Sequence, residues 1–105
     1  MANVMQIANK IAEEFTTLSN IYRVLILMYL NNNNNSNWSK IKEFIEQSSG
    51  IVNPNTLHFH LKSLINMRYI KRSGSRDSIT YKLDKENIPK FIIETIESKN
   101  NELSK

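Results

Sequence analysis

The sequence contains no cysteine, so the chain can form neither disulfide bonds nor thiolate metal sites. No apolar run approaches the roughly 20 residues that a transmembrane helix requires. The amino terminus also lacks the charge, apolar core and small-residue cleavage site of a signal peptide. We therefore expect a cytoplasmic protein without membrane attachment.

Sequence patterns of enzymes are missing too. We find no glycine-rich phosphate loop, no nucleophile elbow and no carboxylate pair at metal-binding spacing. The glutamates of the terminal helices are interpreted as solvent-facing charges. His58 and His60 lie on opposite borders of the apolar stripe of one helix, so they cannot both bind the same metal ion from it. We predict no catalytic activity, no cofactor and no metal site.

A modest excess of basic residues is present. Fourteen Lys and Arg against ten Asp and Glu give a net charge of +4, and the isoelectric point is near 9.4. This balance favours a polyanionic partner, although many soluble proteins without one are equally basic. The chain of 105 residues is long enough for one domain with a modest core.

The segment 53–83 carries the strongest local signals. Asn53 before Pro54 is a typical helix start, because the Asn side chain caps a free N–H and proline at the first position loses no hydrogen bond. Apolar residues then recur at helical spacing, at Leu57, Leu61, Leu64 and Ile65. Residues 69–72 and 78–83 are predicted strands around a basic turn that contains Gly74. The segment thus predicts an amphipathic helix followed by a β-hairpin.

Four predicted helices and one break surround this segment. One helix is predicted over residues 3–17 and a second after a Ser19 cap, central in the domain and covered nearly all round. The five asparagines 31–35 predict a mobile surface loop. A third helix is predicted over Trp38–Gln47, capped by Ser36 or Asn37. A last helix begins at Asn87-Ile88-Pro89, before a polar tail from Ser98.

This order of elements resembles the winged helix-turn-helix regulators of the ArsR/MarR type. Residues 18–27 look like the opening helix of that family, and residues 53–64, with the core His60-Leu61-Lys62-x-Leu64, look like its recognition helix. The resemblance implies a mainly α fold with a small β-hairpin (α+β), a winged helix-turn-helix with extra N- and C-terminal helices. The corresponding regions are 1–17, 18–84 and 85–105. Two features depart from the family: the stretch Glu46–Val52 is longer than the usual turn, and Phe59 stands where many members carry a basic residue.

The resemblance implies sequence-specific binding of double-stranded DNA as a transcriptional regulator. Helix 54–67 would enter the major groove, and the wing 71–82 would contact the backbone or the minor groove. The alternatives are a winged helix used as a protein–protein interaction module and a nonspecific architectural DNA-binding protein. Candidate DNA-binding residues are Asn53, Asn55, Thr56, His58, Phe59, His60, Lys62, Ser63, Lys71, Arg72, Ser75 and Arg76.

Several of these residues allow a second interpretation. Phe59 projects opposite the apolar stripe, where it would contact thymine methyl groups, pack on residues 46–52 or pack on a dimer partner. His58 would reach a base edge or rest on the wing, and His60 would pack at the helix-turn-helix boundary or contact phosphate. Arg76 at the wing tip would contact DNA or remain a solvated charge beside Asp77. Two other residues are expected to be structural, with Trp38 anchoring the Asn-rich loop and Arg23 binding a carboxylate or a backbone group.

Apolar stripes on the first and last helices predict a two-fold homodimer. A winged-helix unit can close its core without these helices, so their apolar faces would be buried against a second subunit. The alternative is that both helices fold back onto their own domain. A two-fold dimer would place its recognition helices about 34 Å apart and bind an inverted repeat. The candidate interface residues are Ile7, Ile11, Phe15, Phe91, Ile92 and Ile96.

Overall fold

The structure is a computed structural model that describes residues 3–103, with side chains through Lys99. Residues 1–2 and 104–105 of the predicted terminal regions lie outside the described residues. The mainly α fold with one β-hairpin is confirmed. The elements are α1 (Val4–Leu18), α2 (Ile21–Asn32), α3 (Trp38–Ser49), α4 (Pro54–Asn66), β1 (Ile70–Ser73), a 3₁₀ turn (Arg76–Ser78), β2 (Thr80–Leu83) and α5 (Lys90–Leu103).

Asparagine caps the first four helices, which explains part of its abundance in the chain. The Asn53 side chain accepts from the backbone N–H of Asn55 at 2.8 Å, with Pro54 at the first helical position as predicted. The predicted Ser19 cap of α2 is wrong by one residue, because Asn20 accepts from the backbone of Tyr22 and Arg23. A cap of this kind contributes about 1 kcal/mol of helix stability. The remaining two caps are Asn3 of α1 and Asn37 of α3.

Helix α2 is central, as its apolar sequence predicts, and contacts α1, α3, α4, α5 and β2. Its fully buried residues are Ile26, Leu27 and Leu30. Ile21, at the start of the helix, is 63% exposed, so α2 is not covered all round as predicted. The core is completed by apolar side chains of the other elements, among them Ile41, Ile45, Leu57, Leu61, Leu64, Tyr69, Ile70, Tyr81, Leu83, Ile88, Ile92 and Ile96.

The Asn-rich run lies at the surface as predicted, with Asn32 to Asn35 exposed, but it is not a loop throughout. Its first two residues belong to α2, and the side-chain oxygen of Asn34 accepts from the backbone N–H of Leu83 at 3.4 Å. Ser36, which follows the run, is 6% exposed and forms an isolated antiparallel bridge with Tyr81. The two backbone N–H···O bonds of this bridge measure 3.1 and 2.8 Å. The run therefore connects α2 to the outer side of β2.

The connection between α3 and α4 is shorter than the sequence suggested. Ser48 and Ser49, which lie beyond the predicted end of the third helix at Gln47, still belong to α3. Gly50 ends the helix with φ 90°, a backbone conformation that favours glycine. Val52 is buried at 4% exposure, whereas Ile51 is 96% exposed. The connection between α3 and α4 therefore consists of the four residues 50–53.

The hairpin is regular at its base and tightly turned at its tip. Ile70 pairs with Leu83, both inward, and Lys71 pairs with Lys82 on the outer side. Gly74 has φ 88°, and a Cβ at this position would clash with the backbone carbonyl of Ser78. The tip therefore needs glycine for two reasons, the positive φ and the close approach of the Ser78 backbone.

Helices α1 and α5 approach each other at one pair of aromatic rings. The rings of Phe15 and Phe91 are 5.8 Å apart between centroids. Ile92 and Ile96 face inward, with 1% and 5% exposure. The last helix was predicted to end before the polar segment that starts at Ser98, and this end is wrong, since α5 continues to Leu103. No helix among the described residues is long and apolar enough to span a bilayer.

Candidate nucleic-acid interface

The outer face of α4 is polar around one aromatic ring. Leu57, Leu61 and Leu64 are buried, as the helical spacing predicts. Ser63 is half-buried and donates its hydroxyl to the Phe59 carbonyl at 3.0 Å. The remaining candidate side chains of this face are exposed, and these are Asn55, Thr56, His58, Phe59 and Lys62.

Phe59 is not covered by its own chain. Its side chain is 61% exposed, so the alternative in which residues 46–52 cover it does not hold within the protomer. Its ring meets the His60 ring edge-on, with 5.3 Å between centroids. The guanidinium carbon of Arg23 lies 5.9 Å from the Phe59 centroid, within cation–π range.

Arg23 has a different partner from the one we expected. Its Nε donates to Nδ1 of His60 at 3.0 Å, and no carboxylate or backbone acceptor bonds it within residues 3–103. The bond requires the neutral His60 tautomer with its proton on Nε2. His60 is 8% exposed and lies 5.9 Å from the ring of Tyr22. His60 therefore lies on the side of α4 that is covered by α2, not on the exposed outer face.

Burial, with a smaller contribution from the Arg23 guanidinium, lowers the pKa of His60 below its usual value. We expect the contribution of neutral His60 to the free energy of unfolding to be fully present above the unfolded-state pKa of about 6.5. This contribution should be lost as the pH falls through the lower folded-state pKa. Urea unfolding of the protein at about pH 7.5 and about pH 5 measures this loss. His60→Gln should show less of it, and His58→Gln should match the parent protein. Equal pH dependence in all three proteins would contradict the assignment.

His58 stacks on Trp38 rather than resting on the wing. Their rings are 3.6 Å apart between centroids and nearly parallel, at 10°. Trp38 begins α3, so this stack joins the first turn of α3 to the exposed face of α4. Trp38 therefore supports α4, whereas we expected it to anchor the Asn-rich loop.

The wing adds exposed cations next to α4, which contacts β1. Arg72 and Arg76 are exposed, and within the described part of the chain neither forms an ion pair, including with Asp77. Lys71 lies 3.6 Å from Asp84, measured from Nζ to Oδ2, so part of its charge is balanced. Ser75 lies at the tip, where its backbone carbonyl accepts from the Ser78 N–H at 3.0 Å.

The structure confirms the exposed positions but does not bring all the candidates together. Asn53 uses its side chain as a cap, and His60 is covered. Arg23 is the residue that the sequence did not place at this face. A signal was present, because Arg23 is the only charged residue of the otherwise apolar or neutral α2. No group of three His, Cys, Asp or Glu side chains that would hold a metal occurs among the residues described.

Comparison with known proteins supports the fold. No sequence model of a known family matches the chain, and no curated protein matches it. Among solved structures, the transcriptional repressor BigR from Xylella fastidiosa superposes with a TM-score of 0.58 at 24% identity, covering 87% of this chain and 80% of BigR. Together with the α3–turn–α4–hairpin arrangement, this similarity shows that the chain has the winged helix-turn-helix fold.

Proposed function

We propose that this protein binds double-stranded DNA sequence-specifically and regulates transcription. The observation that carries the proposal is the exposed outer face of α4 beside a wing whose Arg72 and Arg76 have no ion-pair partner among the described residues. The structural similarity to the repressor BigR supports it. Exposed cations and a polar helix face together suit a DNA duplex. Contacts to phosphates supply affinity, and polar side chains on a helix that fits the major groove supply specificity.

Residues of α4 would contact the major groove. Asn55 carries an amide that pairs with the edge of adenine, and the ring of Phe59 suits thymine methyl groups. Lys62, exposed on the same face, would bind phosphate. The wing would place Arg72 and Arg76 on the backbone or in the minor groove.

The dimer is part of this proposal. Helix α1 exposes apolar residues along its length, with Ile7 at 51%, Ile11 at 48% and Phe15 at 58%. Phe91 of α5 lies beside Phe15 and is 43% exposed. A second copy of the chain would cover this stripe around a two-fold axis. Ile92 and Ile96 are buried in their own protomer, so they have almost no surface to offer a partner.

A charge in the apolar stripe should convert the dimer to a monomer. Ile11→Glu buries a carboxylate in the proposed interface, and we expect the molar mass from light scattering at micromolar concentration to halve. Ile51→Glu is the matched control, because Ile51 is 96% exposed outside the stripe. A parent protein that is already monomeric would refute the dimer.

Selection from randomised duplex DNA, followed by a salt titration on the selected sequence, tests the proposed function. We expect the selected site to be an inverted repeat that binds about 10³-fold or more tightly than random duplex. With six phosphate contacts, the slope of log K against log salt should be about −5. Equal affinity for random and selected duplexes would favour an architectural protein. Absence of DNA binding would favour a protein-interaction module.

A further inference from the structure

Arg23 is distant in sequence from the residues of the proposed interface, but its side chain lies next to them in the structure. It belongs to the first turn of α2, whereas the interface is built from α4 and the hairpin. Its side chain extends to α4, where Nε bonds His60 and the guanidinium carbon lies 5.9 Å from the centre of the Phe59 ring. Because Phe59 is 61% exposed on the outer face of α4, the guanidinium lies at the edge of that face.

Arg23 forms no ion pair within the described part of the protein, although Glu13 of α1 lines the same shallow cavity. The ion pairs formed there involve Lys42, Lys71, Lys85 and Lys90. The one side-chain hydrogen bond of Arg23 uses Nε. A guanidinium has five N–H donors, so its terminal N–H groups remain available. A half-buried cation with unused donors is a good ligand for an anion.

Two contacts fix the orientation of this guanidinium. The neutral imidazole of His60 holds the Nε–H, and the Phe59 ring supports the planar group. Arginine is suited to such a site, because it stacks on aromatic rings and presents a planar fork to phosphate, whereas lysine offers a mobile point charge. Both rings belong to α4, so the two contacts join the guanidinium to that helix.

We propose that Arg23 binds a phosphate of the DNA backbone and that His60 and Phe59 position it for this contact. The inference rests on the proposed function and extends it to α2. It explains why a buried, neutral His60 follows an exposed Phe59 in α4. The phosphate held in this way would fix the depth and rotation of α4 in the groove.

A salt titration with the selected duplex tests the phosphate contact. Arg23→Gln should weaken binding about 10-fold at low salt and make the log–log slope shallower by about 0.9 for each bound protomer. Lys85→Gln is the matched control, since it removes one positive charge beside α1 and α5, outside the interface. It should leave the slope unchanged. Unaltered binding by Arg23→Gln, or weaker binding with an unaltered slope, would overturn the proposal.

The positioning role of His60 has its own test. His60→Leu removes the acceptor for Arg23 without changing the charge at neutral pH, so affinity should fall several-fold while the protein still binds. His60→Gln supplies a carbonyl oxygen that accepts the same bond and should restore most of the affinity. Equal binding by the two variants would show that His60 does not position Arg23.

A measurement on the unmodified sequence avoids any effect of substitution on folding. The Arg23 Nε–H resonance, assigned by its loss in Arg23→Lys, should shift when the selected duplex is added. If backbone resonances of Asn55 and Lys62 shift and the Arg23 signal does not, the inference fails and the proposed function stands. If no resonance shifts and no duplex is selected, the proposed function itself fails.

Discussion

Replacing both Lys62 and Arg76 by glutamate is expected to lower the affinity for the selected duplex about 100-fold or more. Lys62 is exposed on the outer face of α4, and Arg76 is exposed at the tip of the wing. Each substitution removes one phosphate contact and places a carboxylate against the DNA. A charge-assisted contact is worth about 1.5–3 kcal/mol, and each 1.4 kcal/mol is about tenfold in affinity.

The matched control is the double variant Lys85→Glu, Lys90→Glu, which has the same net charge. These lysines form exposed ion pairs with Glu97 and Glu94, and such pairs contribute little stability. If the control loses as much affinity as the interface variant, binding depends on total charge rather than on this face. If neither loses affinity, the assignment of α4 and the wing to DNA is wrong. Fluorescence anisotropy at several salt concentrations distinguishes these results.

Leu27→Ala is expected to lower the free energy of unfolding by about 3 kcal/mol, within the usual range of about 2–5 kcal/mol for such a change. Leu27 is fully buried in α2, which contacts every other helix and β2. Its truncation leaves a cavity where neighbours from several elements cannot all move inward. An effect of this size lowers the ratio of folded to unfolded protein by about 100-fold.

Ile21→Ala in the same helix is the control for this change. Ile21 is 63% exposed, and we expect an effect within about 0.5 kcal/mol. Urea unfolding at one protein concentration measures both variants, because a dimer would make the midpoint depend on concentration. Similar midpoints for the two variants would contradict the central position of α2.

The parts of the fold that depend on neighbouring residues could be predicted from the sequence. Asn53 and Pro54 specify the start of α4 locally, and the spacing of Leu57, Leu61 and Leu64 specifies its buried side. Gly74 marks the hairpin turn because few other residues tolerate its backbone conformation. The exposed position of Phe59 followed from the same helical geometry.

The end of α3 shows where composition misleads. Ser48 and Ser49 are weak helix formers, so they suggested a stop two residues early. In the structure their hydroxyls donate to the carbonyls of Phe44 and Ile45, and the helix continues to Gly50. Serine that bonds the preceding turn is compatible with a helix end, and only the glycine requires the chain to leave it.

Contacts between elements could not be predicted. The stack of Trp38 on His58 and the bond from Arg23 to His60 join residues 20 and 37 positions apart. Helical periodicity places each side chain on a face but does not identify the facing residue. The inward position of Ile92 and Ile96 has the same origin, since an apolar stripe does not reveal whether its own domain or a partner covers it.

The bridge between Ser36 and Tyr81 has a consequence for the mechanics of the hairpin. Tyr81 is paired on one side with Arg72 of β1 and on the other with Ser36, so β2 is held along both of its edges at this residue. Within the described part of the chain, the hydrogen bonds of the tip are local, between Ser75 and Ser78. The asparagine segment therefore connects the end of α2 to β2 over a fixed number of residues. Adding or deleting one asparagine would change the angle at which the arginine-bearing tip approaches the helix that lies beside it.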